Sequence, residues 1–250
     1  MTGPSARLSQ FPCRAVLFDF GGTLMPSRCI DEAFREAAVV FGRLAGIRGD
    51  DAAQRLNEAQ RRAASDVVPG ITGRRYYLHR DLFRSIWAQT ARVLQVALTA
   101  EQVEQVDAAM LAAALSRAEL MPGAMETLGE LRARGYLLSI VSNSDEDDLR
   151  ALLNALRLDN FFDDVLSSEA ARSCKPDSAI FEQSLSRLRC PAAQAVFVGD
   201  TPANDIDGAA ATGMRTVLIT GEQAWATHGI PSRYSPDHVI TALPELLQFL

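Results

Sequence analysis

The sequence contains little lysine, histidine or cysteine, and the scarcity of lysine and of cysteine restricts the kinds of binding site that we expect. Among its 25 basic residues only one is a lysine, Lys175, and its 31 acidic residues leave a net charge of −6. An acidic chain of this kind does not favour nucleic acid or an anionic membrane as a partner. Where arginine is the usual basic residue, the lone lysine indicates a cramped site facing a small anion, because an ammonium group is compact.

No apolar run is long enough to cross a bilayer, and residues 1–7 lack the apolar segment of a signal peptide. The four cysteines are scattered and form no Cys-x-x-Cys pair: Cys13, Cys29, Cys174 and Cys190. This pattern is typical of reduced thiols and not of a zinc site or a disulfide framework. We therefore expect a cytoplasmic protein without a membrane partner.

The order of apolar and helical segments predicts an α/β fold. With 250 residues, the chain is long enough for one large domain or for a core with a smaller insert. Short apolar runs alternate with helical segments in residues 121–250, which predicts a Rossmann-like parallel sheet that also includes residues 1–25. Residues 26–120 show helical spacing throughout and are predicted to form an all-helical insert. The chain is predicted to end in an amphipathic helix over residues 243–250.

The first predicted strand, residues 14–20, carries a carboxylate near its end. Its apolar residues do not alternate with polar ones, which is typical of a fully buried strand. Asp19 is therefore expected at the carboxyl end of the strand, where open α/β sheets bind their ligands. Gly21 and Gly22 allow the backbone to turn sharply and to approach the ligand that Asp19 contacts.

Three further polar sets follow strands or precede helices: Ser142 with Asn143, Lys175, and Asp200 with Asp205. Parallel strands place their carboxyl ends on one edge of the sheet, so these sets are expected to converge on Asp19. Asp19 and Asp200 would repel each other unless a cation lay between them. Ligands that are all oxygen favour Mg²⁺.

Such a site can bind and cleave a phosphate ester. Ser142 can hydrogen-bond the phosphate with the Asn143 amide nearby, and Lys175 can offset the phosphate charge. Asp19 can then attack phosphorus to give an aspartyl-phosphate that water cleaves. For Asp205 the sequence leaves three alternatives, namely direct metal ligand, water-bridged ligand and helix N-cap.

Four motifs in this chain resemble those of the haloacid dehalogenase-like hydrolase superfamily, whose members are mostly magnesium-dependent phosphatases. They are residues 19–24, residues 142–143, residues 175–177 and residues 198–209, the last being the most specific. The resemblance implies that the helical insert is a cap domain, which closes over the site and selects the substrate.

The resemblance also implies roles for single residues. Asp19 matches the nucleophile, and the implied metal ligands are Asp19, the backbone carbonyl of Gly21, Asp200 and Asp205. The implied substrate contacts are Ser142, Asn143 and Lys175.

The chain departs from the phosphatase pattern at Gly21, where those enzymes usually carry a second Asp as general acid and base. Such a group is worth about 10²–10⁴ in rate.

One hypothesis is a phosphatase of a small phosphorylated metabolite whose acid comes from elsewhere or whose leaving group needs little help. The second is a 2-haloacid dehalogenase. The known enzymes of that type need no proton donor, but they lack the acidic pair that this chain has as Asp200 and Asp205. The third is a phosphoryl-binding protein with weak or lost catalysis. The oligomeric state is left open.

Overall fold

The computed structural model describes residues 12–220 and 232–250, so residues 1–7, for which no signal peptide is expected, lie outside it. The chain divides into two compact units, one formed by Met1–Ser27 with Glu119–Leu250 and the other by Arg28–Ala118. Within the described ranges, no helix is both long enough and apolar enough to pass through a membrane.

The second unit is helical, and residues 28–118, all of which are described, include no strand. Its four helices are α1 (Ser27–Leu44), α2 (Ala52–Thr72), α3 (His79–Leu94) and α4 (Ala100–Arg117). Trp87 lies in its core, with the ring of Phe34 stacked at 4.6 Å and that of Phe41 at 5.5 Å between centroids. Burial of these large rings on facing helices is what holds short helices together in water.

Over its described residues, the first unit is built on a parallel sheet of six strands. They are β1 (Ala15–Phe18), β2 (Leu137–Ser142), β3 (Asp164–Ser167), β4 (Ala195–Gly199), β5 (Arg215–Ile219) and β6 (His238–Ile240). Their order across the sheet is β3-β2-β1-β4-β5-β6, and every neighbouring pair is parallel. The predicted α/β parallel-sheet fold is confirmed.

Helices cover this sheet, and the sheet is buried where they pack. They are α5 (Ala124–Ala133), α6 (Glu146–Ala155), α7 (Ser168–Ala171), α8 (Ser178–Leu188) and α9 (Asp207–Ala211), with a 3₁₀ helix at Leu243–Gln248. The side chains of β1 and β4 are fully buried, and Phe181 of α8 packs edge-on against Phe197 of β4 at 5.0 Å. The uninterrupted apolar runs seen in the sequence follow from this burial on both faces.

The two chain segments of the first unit that flank the helical insertion are hydrogen-bonded to each other. The backbone carbonyl of Leu24 accepts a 2.8 Å hydrogen bond from the backbone N–H of Met121. The two chain segments that flank the insertion therefore meet at one point.

Candidate active site

The two central strands each end in a buried aspartate. Asp19 follows β1 and Asp200 follows β4, and the backbone N–H of Asp19 donates to the carbonyl of Val198 at 2.9 Å. Because β1 and β4 are neighbours in register, the parallel sheet itself places both carboxylates on its carboxyl edge.

A third carboxylate joins them from a tight turn. Asp205 lies in a π-helical turn over Pro202–Ile206 and is 1% exposed. The Thr201 backbone holds it, because the Thr201 N–H donates to Asp205 Oδ2 at 2.9 Å and the Thr201 carbonyl accepts from the Asp205 N–H at 2.8 Å. A β-carbon at Gly199 would lie 2.5 Å from the Asp205 β-carbon, so this turn requires glycine there.

The three carboxylates form one cluster, and Lys175 bridges two of them. Asp19, Asp200 and Asp205 each offer an oxygen within 4.8 Å of the others. The Lys175 ammonium donates to Asp19 Oδ1 at 2.5 Å and to Asp205 Oδ1 at 2.7 Å, and its side chain is 3% exposed. Three buried carboxylates and one ammonium leave an excess of negative charge.

Burial and this excess of negative charge raise the pKa values of two carboxyl groups in the cluster. Burial raises the pKa of Asp200 to about 8, and the carboxylates of Asp19 and Asp205 add to the rise. Burial also raises the pKa of Asp19 to about 6, although the Lys175 ammonium opposes the rise. Burial alone would lower the pKa of Lys175, but the Asp19 and Asp205 carboxylates outweigh it and the pKa is raised. The cluster thus favours any added positive charge, a proton or a metal ion.

The donor set fits a hard divalent cation. All three side chains offer oxygen, which Mg²⁺ prefers to nitrogen or sulfur, and their convergence in a buried place costs free energy unless a cation compensates it. The described residues therefore fit Mg²⁺ on their chemistry.

Two threonines that the sequence did not single out orient these carboxylates. The hydroxyl of Thr201 donates to Asp200 Oδ1 at 3.1 Å, and the fully buried Thr23 donates to Asp19 Oδ2 at 3.4 Å. Both threonines lie inside the recognised motifs, but their type alone does not distinguish an orienting hydroxyl from an ordinary turn residue.

The second predicted set lies at the end of the neighbouring strand. Ser142 is buried as the last residue of β2, which pairs with β1. Asn143 follows it, and its side-chain amide is hydrogen-bonded to the backbone of Lys175. The structure therefore links Asn143 directly to Lys175.

The two glycines after Asp19 have different surroundings. A β-carbon at Gly21 would meet no atom within 4 Å, and the residue is exposed. Gly22 has a φ of +86°, and a β-carbon there would overlap the Asp200 carboxylate. Position 21 thus has room for a side chain that this chain does not carry, whereas position 22 has none.

The parallel sheet with acidic groups at its carboxyl edge matches a known class of enzyme. Residues 13–213 match the family of haloacid dehalogenase-like hydrolases, and the chain belongs to that family. It is therefore a hydrolase of this type.

Individual relatives include phosphatases and dehalogenases. A ribulose-1,5-bisphosphate 5-phosphatase of Halopiger xanaduensis is 31% identical over 238 residues, 93% of this chain and 97% of the relative. A (S)-2-haloacid dehalogenase 4A of Burkholderia cepacia is 31% identical over 173 residues, 67% of this chain and 72% of the relative.

Other likenesses cover less or show only the fold. The human haloacid dehalogenase-like hydrolase domain-containing protein 3 is 36% identical over 132 residues, and this chain spans only about half, 52%, of that relative's length. The crystal structure of a predicted phosphoglycolate phosphatase from Haemophilus somnus aligns with a TM-score of 0.70 over 96% of this chain and 98% of its own. At 19% identity, that likeness shows the fold alone.

Proposed function

We propose that this protein is a Mg²⁺-dependent phosphatase of a small phosphorylated metabolite and that it works through an aspartyl-phosphate on Asp19. The observation that carries the proposal is the buried cluster of Asp19, Asp200 and Asp205 bridged by Lys175. A cluster with this excess of negative charge at a sheet edge suits a metal ion and, through the metal, a phosphate group. The near full-length similarity to a sugar-bisphosphate phosphatase supports the substrate class.

The metal would be held by the carboxylates of Asp19, Asp200 and Asp205, together with the Gly21 backbone carbonyl. When bound, Mg²⁺ neutralises charge on the phosphate oxygens. Lys175 contributes a second positive charge, and its ammonium group holds Asp19 Oδ1 and Asp205 Oδ1 in place through hydrogen bonds. Ser142 donates its hydroxyl to a phosphate oxygen.

The reaction then takes two displacements. A carboxylate oxygen of Asp19 attacks phosphorus, the bond from phosphorus to the leaving oxygen breaks, and that oxygen departs with the electron pair. Water attacks the phosphorus of the acyl phosphate, the bond to the Asp19 oxygen breaks, and inorganic phosphate and the free carboxylate result. Both steps benefit from a general acid or base, and Gly21 supplies none.

The absence of a side chain at residue 21 restricts the favoured substrates. An alkyl phosphate must expel a strongly basic oxygen, so it depends on proton donation. An acyl or aryl phosphate expels a weakly basic oxygen and does not. The protein is therefore expected to hydrolyse acyl and aryl phosphates faster than sugar phosphates.

The helical insert, residues 26–120 in the sequence-based division, is proposed to act as the cap domain that selects the substrate. The remaining ranges, 1–25 and 121–250, form the hydrolase core in this proposal. All four helices contribute buried residues to one hydrophobic cluster around Trp87, which gives the insert the independent packing that a separate domain needs.

Dehalogenation is the second candidate function. The similarity to a haloacid dehalogenase and the missing proton donor at Gly21 favour it, since halide leaves without a proton. The acidic pair Asp200 and Asp205 opposes it, because displacing a halide from carbon needs no metal ion. We therefore rank it below the phosphatase.

One screen separates these functions. Phosphorylated metabolites, acetyl phosphate, p-nitrophenyl phosphate and 2-chloropropionate are offered with Mg²⁺ or with EDTA, using wild-type protein and the Asp19→Asn variant. Phosphate release that needs both Mg²⁺ and Asp19 is the expected result. Chloride release without Mg²⁺ would contradict the proposal and show that the protein is a dehalogenase. Binding of beryllium fluoride without turnover of any substrate would indicate a phosphoryl-binding protein.

A further inference from the structure

Asn143 makes a two-point contact with the peptide group of one distant residue. Its Oδ1 accepts a 2.7 Å hydrogen bond from the backbone N–H of Lys175, and its Nδ2 donates a 3.0 Å hydrogen bond to the backbone carbonyl of Lys175. The carbonyl must receive a donor and the N–H must meet an acceptor, so this network fixes which end of the amide is oxygen. Both main-chain polar groups of Lys175 are thereby satisfied by one side chain.

This contact acts where regular structure gives no support. Lys175 precedes α8 and lies in a segment between α7 and that helix, outside every strand of the sheet. Asn143 follows directly after β2, so its amide ties that segment to a strand next to β1. The backbone of Lys175 is therefore held by the sheet edge through Asn143.

The position of this backbone determines where the ammonium group lies. The Lys175 side chain has four rotatable bonds, yet its Nζ donates hydrogen bonds to Asp19 Oδ1 and Asp205 Oδ1 at the same time. Because the side chain is 3% exposed and closely packed, a shift of the Lys175 α-carbon carries Nζ with it. Displacements on the order of 1 Å can reduce catalysis about a hundredfold. A group that fixes the α-carbon thus fixes the charge beside the nucleophile.

We propose that Asn143 is a positioning residue for Lys175 and not a contact for the substrate. Resting on the proposed function, this assigns the phosphate contacts of the second motif to Ser142 alone. The Asn143 amide acts through the Lys175 backbone, and through it on the ammonium that bridges Asp19 and Asp205.

The composition of the chain provides a direct test. Lys175 is the only lysine, so protein labelled with ¹⁵N-lysine gives a single backbone amide signal by NMR. We expect slow hydrogen exchange at this amide in the wild type and exchange faster by about tenfold or more in Asn143→Ala, since the protecting acceptor is lost. Asn143→Asp keeps an acceptor for the Lys175 N–H but loses the donor to the Lys175 carbonyl, so its exchange rate is expected to lie between those of the wild type and Asn143→Ala. The exposed Asn154 on α6 provides the control variant Asn154→Ala, which should match the wild type.

Kinetics on acetyl phosphate form the second arm. Asn143→Ala is expected to lower kcat by about tenfold or more while KM changes less than about twofold, the signature of a residue that does not bind substrate. Unchanged exchange at the Lys175 amide in Asn143→Ala would overturn the proposal, and so would a raised KM at constant kcat. The exchange measurement needs no turnover, so an inactive wild type would count against the proposed function alone.

Discussion

Gly22 and Asp200 are in such close contact that a β-carbon on residue 22 would overlap the carboxylate of Asp200. The same β-carbon would lie 3.0 Å from Ser27 Oγ, and the φ of Gly22 is +86°. The glycine therefore serves two purposes, because it permits this backbone conformation and leaves space for a proposed metal ligand.

Gly22→Ala is expected to abolish Mg²⁺-dependent turnover while the fold survives. The matched control is Gly213→Ala, because Gly213 has the same φ of +86° but no atom within 4 Å of its β-carbon. Each variant should lose about 1 kcal/mol of stability from backbone strain, and Gly22→Ala should lose more because its β-carbon also overlaps Asp200. Only Gly22→Ala should weaken Mg²⁺ binding measured by calorimetry. Equal Mg²⁺ affinity in the two variants would show that Asp200 does not bind the metal.

Gly21→Asp should fit without strain, since a β-carbon there meets nothing within 4 Å. If residue 21 is where a general acid is missing, the variant should hydrolyse alkyl phosphates faster by up to about 10²–10⁴. Its rate on p-nitrophenyl phosphate should change little. Gly21→Asn, which has the same size but cannot transfer a proton, serves as control. Unaltered alkyl phosphate turnover in Gly21→Asp would refute the missing-acid interpretation.

Thr201→Val removes the hydroxyl that donates to Asp200 Oδ1 at 3.1 Å and keeps the backbone N–H that holds Asp205. Loss of such an orienting hydrogen bond typically reduces metal affinity about 10–100-fold. The Mg²⁺ concentration for half-maximal activity should rise in Thr201→Val. Thr201→Ser retains the hydroxyl and should stay near the wild type. A rise of equal size in both variants would point to a packing effect.

Lys175→Met should destabilise the Mg²⁺-free protein by about 3 kcal/mol at pH 7, because it leaves two buried carboxylates without their counter-ion. Saturating Mg²⁺ should restore part of this loss, about 2.7 kcal/mol at 100 times Kd. Urea unfolding with and without Mg²⁺ measures both. Arg187→Met breaks the pair of the half-exposed Arg187 with Asp164 and should cost less than about 1 kcal/mol, because Asp164 keeps its hydrogen bonds from Ser139 and Ser184. A Lys175→Met protein that Mg²⁺ fails to stabilise would contradict the metal site.

The Cys13 thiol should react slowly with iodoacetamide. Burial raises its pKa to about 12, a backbone hydrogen bond at Ala15 opposes the rise, and Cys190 adds to it. Only the thiolate reacts, so alkylation at pH 8 should be slower than for a free thiol by about a hundredfold or more. The rate should rise about tenfold for each pH unit from 8 to 10. Mass spectrometry of the Cys13 peptide measures it, with urea-unfolded protein as control. A plateau near pH 9 would rule out the raised pKa.

The sheet could be predicted from sequence because its central strands are buried on both faces. Runs such as Ala195–Gly199 contain no polar residue, and no exposed face interrupts the pattern. Local capping was also predictable, because its signals are short. Thr99 and Gln102, three residues apart at the start of α4, form a capping box, and Asp177 caps α8 by accepting from the Ala179 N–H at 3.0 Å.

Features that depend on tertiary contacts could not be predicted in the same way. The amphipathic helix expected over residues 243–250 is a 3₁₀ helix at Leu243–Gln248, a helix type that the sequence pattern did not specify. The buried residues Leu243 and Leu246 are spaced by three, which suits both helix types. Asp205 lies inside the π-helical turn instead of capping a helix, and its partners Thr201 and Lys175 become visible only in three dimensions.

The hydrogen bond between Leu24 and Met121 ties together the two chain segments that flank the helical insertion. Because the chain departs and returns at one point, a different insertion can be spliced in there without shifting the register of any strand. The carboxylates stay where the sheet puts them whatever is inserted. If the insertion is the proposed cap domain, a new substrate preference therefore requires the exchange of only this single contiguous stretch of coding sequence.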